Sequence, residues 1–508
     1  MFLTPKGTVD LNDFKEISLL SSETDLSIYI TEDTITNHQY LQTIYKKKYE
    51  SKEDQKIFYH EILRLSNVSQ HPFLINIVGL SLFDYNNKPF PTVFHDYLPN
   101  RTLTNLLANH PIFNEFQPIT PTKKFVILLG IARGMNHLHK NFLAHGNLDT
   151  DRIYLDSNLH PKIFGFKKTQ ESNASTAKQD DIFNFGLIAF ELITNKKLNE
   201  TIKPSDTSLL QTDWQRTFLT KIMSKYRWYR PDFDQIVNDL LQHSSEFGDV
   251  DADEIGRVER MTMRYMKWYC QLVEEEAEKG SLTDMFLYGT ILSDGDFVET
   301  DKKEALKYFK KSADLGNVHS MFSYAFMLSK GDGIQANKRE AAEYYKKAID
   351  KGNRTAMFNY GHMLFNGDGI QADKKEAAKF YKLAADQGNV KAMFNYAILL
   401  AKGDGVQMNK KEAAKYFKLA ADSGNLKAMT YYASMMLKGD GVYLNKNEAA
   451  LYYKEAADNM QVDAMMKYAM MLETGDGIQP DKNEAIKYFK MAADLGNKEA
   501  LENYKRLK

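Results

Sequence analysis

A regular 36-residue period runs through the second half of this chain. The tripeptide Gly-Asp-Gly occurs at 331–333, 367–369, 403–405, 439–441 and 475–477. A glycine, an alanine and a tyrosine series keep the same spacing, and Met460 is the exception in the glycine series. Periods of about 20–50 residues are typical of stacked supersecondary units that bury their apolar faces against one another. The second half is therefore predicted to be an array of repeats rather than one globular core.

The spacing inside each unit predicts two helices. Ala356, Tyr360, Met363 and Leu364 fall on one helical face. The following Gly-Asp-Gly ends that helix, because glycine accepts the left-handed conformation of a C-cap. A second helix opens with Asp or Asn and carries Glu three residues later, which is a capping box in its Asx form. These pairs are Asp301/Glu304, Asn337/Glu340, Asp373/Glu376, Asn409/Glu412, Asn445/Glu448 and Asp481/Glu484.

The repeated motifs G-D-G-[IV], K-x-E-A, [YF]-[YF]-K and A-A-D-x-G-N resemble the Sel-one-like family, a relative of tetratricopeptide repeats. The resemblance covers about residues 283–508. It implies an all-α, right-handed solenoid of two-helix repeats that binds a protein or peptide. A calcium loop is the weaker interpretation of Gly-Asp-Gly, because such a loop needs several oxygen ligands and a closing glutamate.

A second apolar stripe follows the first helices of the array. By analogy with tetratricopeptide solenoids, these helices line the concave side, which makes the stripe a candidate partner-binding groove. Burial of the same side chains between helices is the competing interpretation, which a helix apolar on two faces favours. Ser434 and His362 interrupt this stripe, and His362 is one of the candidate residues. The candidate residues are Phe322, Phe326, Phe358, His362, Phe365, Phe394, Ile398, Met466 and Met470.

The first half resembles protein kinases of the tyrosine-kinase-like group, over about residues 12–245. The stretch GIARGMNHLHKNFLAHGNLDTDRIYLDSNLHPKIFGF (130–166) resembles the catalytic-loop region. Other kinase landmarks stand in the expected order, namely HEILRL (60–65), TVFHDYLPNRTLTNLL (92–107), DIFNFGLIAFELITNKK (181–197) and RPDFDQIV (230–237). The resemblance implies a bilobal α+β fold.

The resemblance also implies positions for phosphoryl transfer, and most of them carry the wrong residue type. Transfer needs a phosphate cover, a lysine, metal ligands and a base. The base position is Asn147, the two metal-ligand positions are Arg152 and Gly165, and the lysine position is Thr43. Lys46, Lys47 or Lys48 would replace that lysine if the strand were shifted. The three glycine positions of the phosphate cover are Ser21, Glu23 and Leu26.

Positions that maintain the kinase fold are retained. The resemblance assigns Glu61 to the helix glutamate, Asp181 to the aspartate that anchors the catalytic loop, and Leu65, His145 and Phe166 to the stacked apolar spine. The segment from Gly165 to Asp181 is too short for a peptide-docking activation segment. Packing is therefore expected to survive where the chemistry has been lost.

The amino-acid composition limits the classes of partner that are expected. The 66 basic and 67 acidic residues give a net charge of −1, which excludes an overall basic footprint for nucleic acid. The single cysteine, Cys270, excludes an intramolecular disulfide framework and a cysteine-rich zinc site. No apolar run is long enough to span a membrane, and the start MFLTPKGTVDLNDF lacks a secretory pattern. A cytoplasmic protein with neither nucleic acid nor membrane as a partner is expected.

The domain prediction is a kinase-like domain at 12–245, a linker plus capping helix at 246–282, and six repeats with a C-terminal partial helix at 283–508. The functional prediction is a signalling adaptor or scaffold without catalysis, bound metal or cofactor. One alternative is an atypical Mg²⁺-dependent kinase that uses a lysine among 46–48 and Asp149 or Asp151. Another is a switch that binds ATP without transfer. A chaperone-type adaptor of the secretory pathway is disfavoured by the absence of a signal segment.

Overall fold

The computed structural model describes residues 11–22, 26–46, 51, 62, 65–81, 91–98, 101–109, 111–116, 118–165, 167–168, 174–198, 206, 208–224, 227, 230–295 and 298–508. The chain divides into two compact units, Met1–Leu272 and Val273–Lys508. In the part of the chain that is described, no helix is both long enough and apolar enough to cross a membrane.

The first unit begins with a five-stranded antiparallel sheet. Its strands are β1 (Phe14–Ser22), β2 (Leu26–Asp33), β3 (Gln39–Tyr45), β4 (Ile77–Ser81) and β5 (Thr92–Asp96), in the order β1-β2-β3-β5-β4. Thr43 on β3 pairs with Ile28 on one side and Val93 on the other, so β3 lies inside the sheet. Its residues 41–43 are buried, as expected for a central strand.

Helices and short hairpins follow the sheet. The helices are α1 (Leu103–Leu107), α2 (Pro121–Lys140), α3 (Ala174–Thr194), α4 (Asp213–Ile222) and α5 (Phe233–Gln242). The short strands β6 (Leu143–Ala144) and β9 (Lys167–Lys168) pair with each other, as do β7 (Ile153–Leu155) and β8 (Pro161–Ile163). Residues 125–132 of α2 are all buried, which places this helix at the centre of the helical core.

Helix α6 (Ala252–Glu278) follows, and its residues up to Leu272 belong to the first unit. The hydroxyl of Tyr265 donates to the backbone oxygen of Asn67 at 3.1 Å, and Glu259 accepts from Arg133 Nε at 3.1 Å. Aromatic and charged residues of this helix thus have partners in the first unit. The linker plus capping helix at 246–282 and the bounds 12–245 and 283–508 stay predictions.

The second unit is a run of helices of nearly uniform length. They are α7 (Leu282–Asp294), α8 (Lys302–Asp314), α9 (Val318–Lys330), α10 (Lys338–Asp350), α11 (Arg354–Asn366), α12 (Lys374–Asp386), α13 (Val390–Lys402), α14 (Lys410–Asp422), α15 (Leu426–Lys438), α16 (Lys446–Asp458), α17 (Val462–Thr474), α18 (Lys482–Asp494) and α19 (Lys498–Leu507). Helices α7 to α18 form six successive two-helix repeats, numbered one to six below. The predicted fold class, a kinase-like α+β domain followed by an all-α solenoid of repeats, is confirmed.

The helix ends in the array follow the local chemistry of the sequence. In repeat three, the Asn353 side chain accepts from the Ala356 amide at 2.8 Å, and Gly367 ends the helix at φ 69°. The Asp373 side chain accepts from the Glu376 amide at 2.9 Å. Met460 takes φ 66° at the position where the other repeats carry glycine. This residue adopts a left-handed conformation without the freedom of glycine, which marks a locally strained turn.

The Gly-Asp-Gly turns join neighbouring repeats. The lysine that opens each second helix forms an ion pair with the aspartate of the next turn along the chain. These pairs are Lys302–Asp332, Lys338–Asp368, Lys374–Asp404, Lys410–Asp440 and Lys446–Asp476. The second glycine of the turn lies against the same neighbour, since a Cβ on Gly405 would come within 2.4 Å of the Lys374 carbonyl oxygen. The tripeptide thus has a structural role that requires no metal ion.

Candidate functional site

The loop between β6 and β7 carries the positions predicted for the kinase catalytic loop, and a buried carboxylate holds its backbone in place. Asp181 on α3 accepts hydrogen bonds from the backbone amides of His145 and Gly146, both at 2.8 Å. Its Oδ2 also lies 3.0 Å from His139 Nε2. The His145 ring lies 2.7 Å from the Phe164 carbonyl oxygen, and burial lowers the pKa of its imidazole. The loop backbone is therefore held in shape even though its catalytic side chains differ from those of kinases.

An arginine, Arg152, stands at one of the two positions predicted for the metal ligands. With the Asn147 amide oxygen turned toward it, the Arg152 guanidinium donates to that oxygen from Nη2 at 3.0 Å and from Nε at 3.2 Å. Nη1 of Arg152 lies 3.0 Å from where a Cβ of Gly165 would stand. The three substituted positions are thus neighbours in space, and the guanidinium lies in the corner that they form.

A magnesium ion does not fit this corner. Magnesium is held in proteins by one or two carboxylates together with the phosphates of the substrate. Here the two ligand positions are an arginine and a glycine, and the base position is a neutral amide. Asp149 is the nearest carboxylate of the loop, with its Oδ2 3.7 Å from Arg152 Nε. Its other oxygen accepts from the amides of Asp151 and Arg152, each at 3.0 Å, so this carboxylate caps the turn.

A buried apolar cluster joins the sheet to the segments that follow this loop. A cluster of buried residues combines Ile28 and Leu41 from the sheet with Tyr154 from β7 and Phe164, which follows β8. Burial raises the pKa of the Tyr154 phenol to about 12, so this side chain is neutral. In protein kinases the nucleotide lies under the loop between the first two strands and against the third strand. In this chain the second and third strands contribute Ile28 and Leu41 to the buried cluster.

The lysine position is also occupied by a buried neutral residue. Thr43 is 5% exposed and lies within β3. Lys46 follows the end of that strand, is exposed, and donates to the Ser22 hydroxyl at 2.9 Å. Ser21 and Leu26 lie at the ends of β1 and β2 that face each other across the hairpin. The positions Glu23, Lys47, Lys48, Glu61 and Phe166 lie outside the described residues.

In the array, the structure separates the groove candidates by exposure. Phe326 is 41% exposed and His362 is exposed, whereas Met466 is buried. The remaining candidates, Phe322, Phe358, Phe365, Phe394, Ile398 and Met470, are half-buried. Several pack on an aromatic of the second helix in the same repeat, namely Phe322 on Tyr345, Phe358 on Tyr381 and Phe394 on Phe417, with ring centroids 6.0, 5.8 and 5.8 Å apart.

The sequence reasoning missed two sets of residues. One is the pair Leu41 and Tyr154, which belong to the buried cluster between the sheet and β7. The other consists of exposed apolar side chains in repeats four and five, among them Tyr431, Tyr443 and Leu451. The available signal was departure from the repeat, because the position of Tyr443 carries glutamine one period before and after it.

Comparison with known families agrees with this division of the chain. Residues 30–207 match the family of protein tyrosine and serine/threonine kinases. Six stretches match the Sel1 repeat, at 284–317, 318–353, 355–389, 390–425, 426–459 and 462–497. The predicted recognition of a kinase-like domain followed by six such repeats is confirmed.

Several curated plant kinases are similar to the first half. Cysteine-rich receptor-like protein kinase 1 of Arabidopsis thaliana is 26% identical over 185 residues, which cover 31% of this chain and 29% of that protein. Probable inactive L-type lectin-domain containing receptor kinase III.1 of Arabidopsis thaliana is 26% identical over 30% of this chain and 25% of that protein. Receptor-like cytoplasmic kinase 176 of Oryza sativa subsp. japonica is 25% identical over 32% of this chain and 45% of that protein. The chain thus spans less than half the length of each.

Two solved structures are similar to this chain. A protective antigen of uropathogenic Escherichia coli displaying an SLR fold has a TM-score of 0.46 and 24% identity, covering 48% of this chain and 52% of that one. A Sel1 repeat protein from Oxalobacter formigenes has a TM-score of 0.40 and 25% identity, covering 46% of this chain and 92% of that one.

Proposed function

We propose, on the premise that this chain joins a protein kinase family domain to six Sel1 repeats, that it is an adaptor whose kinase-like unit does not transfer phosphate. The repeats bind a partner protein or peptide, and the kinase-like unit supplies a second folded surface. Whole-protein activities of the plant receptor kinases are not carried over, because this chain spans only part of them.

The observation that carries this proposal is the position of Arg152. Its guanidinium, hydrogen-bonded to Asn147 and beside Gly165, lies in the corner that metal ions would require. Two unit charges about 4 Å apart interact by roughly 4 kcal/mol near a protein surface, and a divalent ion doubles that repulsion. Arg152 therefore opposes magnesium binding, and the carboxylate beside it, that of Asp149 at 3.7 Å, caps the turn through its other oxygen.

The buried cluster that holds Leu41 and Tyr154 supports the same proposal independently. A nucleotide base that entered between the sheet and the loop would have to displace one of these buried side chains. Exposing a buried leucine or a comparable apolar side chain costs about 1.5–3 kcal/mol. Nucleotide binding would thus begin with an unfavourable opening of the cleft, before any contact with phosphate is made.

The test is thermal melting of the full chain with millimolar ATP, with and without Mg²⁺, and with EDTA as a third condition. A ligand at 100 times its Kd stabilises the native state by about 2.7 kcal/mol, which shifts Tm by several degrees. We expect no shift in any condition. A matched variant with Asn147→Asp, Arg152→Asn and Gly165→Asp restores the residue types that bind metal in kinases. Its shift in Tm reports how much of the loss of ATP binding is due to these three residues.

Each of the other outcomes of this experiment would support one of the two alternative functions. A shift that requires Mg²⁺, together with phosphate transfer to a general substrate such as casein, would establish an atypical kinase and overturn the proposal. A shift without transfer would establish the ATP-binding switch. In that case Arg152 would be a phosphate ligand, and Arg152→Ala would abolish the shift.

A further inference from the structure

A cavity of about 800 Å³ lies at the surface between repeats four and five. Lys411, Lys415 and Lys418 line it from helix α14. Tyr432 of α15 lines another side, with the Lys418 ammonium 6.0 Å from the centroid of its ring. Tyr443 belongs to the turn that closes the cavity. The lining thus combines cations with aromatic surface.

The charge of this cavity is not neutralised from within. Lys418 forms an ion pair with Asp422 at 2.9 Å. Lys411 and Lys415 are exposed, and neither makes an ion pair or hydrogen bond with any residue in the part of the chain that is described. Glu448 is the one carboxylate of the lining, and it accepts from the Asn445 side-chain amide at 2.9 Å. Two lysine ammonium groups are therefore available to an incoming anion.

An aromatic side chain stands next to these cations without packing of its own. Tyr443 is 96% exposed and Leu444 is 59% exposed. The residues in the position of Tyr443 in repeats two, three, four and six are Gln335, Gln371, Gln407 and Gln479. An exposed tyrosine in place of glutamine adds apolar surface that folding does not use, and exposed apolar surface of this kind marks interaction sites.

The preceding repeat boundary has a related cavity with different chemistry. That cavity, of about 510 Å³, is lined by Lys375, Lys379 and Lys382 and has Gln407 in the place of Tyr443. Lys379 is paired with Glu376 at 2.6 Å and Lys382 with Asp386 at 2.8 Å. Compared with this neighbour, the cavity between repeats four and five has one more lysine without an intramolecular carboxylate, and it has an aromatic rim.

We propose that the cavity between repeats four and five binds an acidic segment of a partner protein. Carboxylates of the segment face Lys411 and Lys415, and an apolar or aromatic side chain beside them lies on Tyr443. The lysines of the cavity favour an anionic ligand, and the exposed Tyr443 of its lining, with the exposed Leu444 next to it in the chain, favours apolar side chains beside the acidic ones. This inference rests on the proposed function, since it names the chemistry of the partner.

The probe is a fluorescein-labelled decapeptide of glutamates with a central phenylalanine, titrated against the full chain by fluorescence anisotropy. A peptide with glutamine in place of glutamate controls for charge. Reversal of two lysines in Lys411→Glu/Lys415→Glu is expected to weaken binding by about tenfold or more, since each exposed pair is worth up to about 1 kcal/mol. Lys391→Glu/Lys427→Glu makes the same change of net charge on first helices outside both cavities, and it is expected to leave affinity within about twofold.

Tyr443→Ala separates binding from folding. Its side chain is almost fully exposed, so the melting temperature of the variant is expected to be unchanged, while the affinity for the peptide falls about fivefold because a rim aromatic contact is lost. Raising sodium chloride from about 50 to about 300 mM is expected to weaken binding of the charged peptide and to leave the contribution of Tyr443 to the affinity unchanged.

Three results would overturn the inference. The first is an absence of binding to the full chain, which would leave the proposed adaptor function standing if ATP also failed to shift the melting temperature. The second is an equal loss of affinity in the two lysine-reversal variants, which would indicate attraction to overall charge. The third is equally tight binding of heparin at the same cavity, which would indicate a general polyanion site.

Discussion

Tyr265 allows a sharp test of where the kinase-like unit ends. This residue of helix α6 is fully buried, and its hydroxyl donates to the Asn67 carbonyl oxygen at 3.1 Å. The same hydroxyl lies 3.0 Å from His137 Nε2. Tyr265→Phe removes one oxygen atom and leaves the half-buried Asn67 carbonyl and the buried His137 ring without this bond. Leaving a buried polar group unsatisfied costs about 1–3 kcal/mol, so a loss of about 2 kcal/mol is expected.

Tryptophan fluorescence is the suitable measurement. All three tryptophans of the chain, Trp214, Trp228 and Trp268, fall within Met1–Leu272, so their emission reports on the first unit alone. For a unit of this size, about 2 kcal/mol corresponds to a decrease in Tm of about 4–8 °C. Tyr443→Phe removes the same atom from an exposed side chain and is expected to change the free energy of unfolding by less than about 0.5 kcal/mol.

The reasoning is refuted if the two tyrosine variants melt together. That result would mean that α6 does not pack on the kinase-like unit and that the predicted boundary near residue 245 is the better one. A pair of truncations gives a second measurement, because chains that end at residue 272 are expected to melt cooperatively whereas those that end at residue 250 lose the buried Tyr265.

Three further predictions concern stability. Gly405→Ala places a Cβ within 2.4 Å of a backbone oxygen of the preceding repeat, and we expect it to lower the free energy of unfolding in urea by several kcal/mol. In the control Gly388→Ala, φ is 87° and no atom lies within 4 Å of the new Cβ, so the free energy of unfolding is expected to fall by only about 1–2 kcal/mol. Equal losses in the two variants would contradict the clash. Asp181→Asn is expected to lower the tryptophan-detected Tm by several degrees, since an amide cannot accept from two backbone amides and His139 as a carboxylate does, and an unchanged Tm would exclude its anchoring role. Burial lowers the pKa of His137 to about 3 and that of His71 well below its usual value, so the unfolded state binds more protons than the folded state below about pH 6.5. Each histidine is therefore expected to reduce the free energy of unfolding of the first unit by about 1.4 kcal/mol per pH unit as the pH falls below about 6.5. In urea titrations His137→Gln is expected to make this pH dependence shallower, and an equal slope would contradict the prediction.

The array was predictable because its determinants are local. The Asn or Asp caps and the C-cap glycines act within a few residues of each helix end, and the structure places them as the sequence indicates. One detail differs from a capping box. In the second helices capped by Asn337 and Asn445, the glutamate accepts from the side-chain amide of the cap at 2.9 Å. The lysine that pairs with each turn aspartate lies thirty residues earlier in the chain, and only the stacking of the repeats brings the two together.

The groove was less predictable, because exposure depends on the neighbouring helix and not on the helix itself. Met466 and Phe326 belong to the same apolar stripe in the sequence, yet one is buried and the other is 41% exposed. The cavity between repeats four and five is likewise built from a helix of one repeat and a turn of the next. Its only trace in the sequence is Tyr443, a departure from the repeat.

The sequence by itself determined the order of the two units, the helix ends of the array and the residue types Asn147, Arg152 and Gly165 at the positions predicted for the base and the metal ligands. These properties follow from local periodicity, capping and residue identity. Only the tertiary structure decided that the Arg152 guanidinium lies beside Asn147 and Gly165, that Leu41 and Tyr154 belong to one buried cluster, and that α6 has partners in the first unit. Each of these depends on contacts between residues far apart in the chain, and such contacts exist only once the chain has folded.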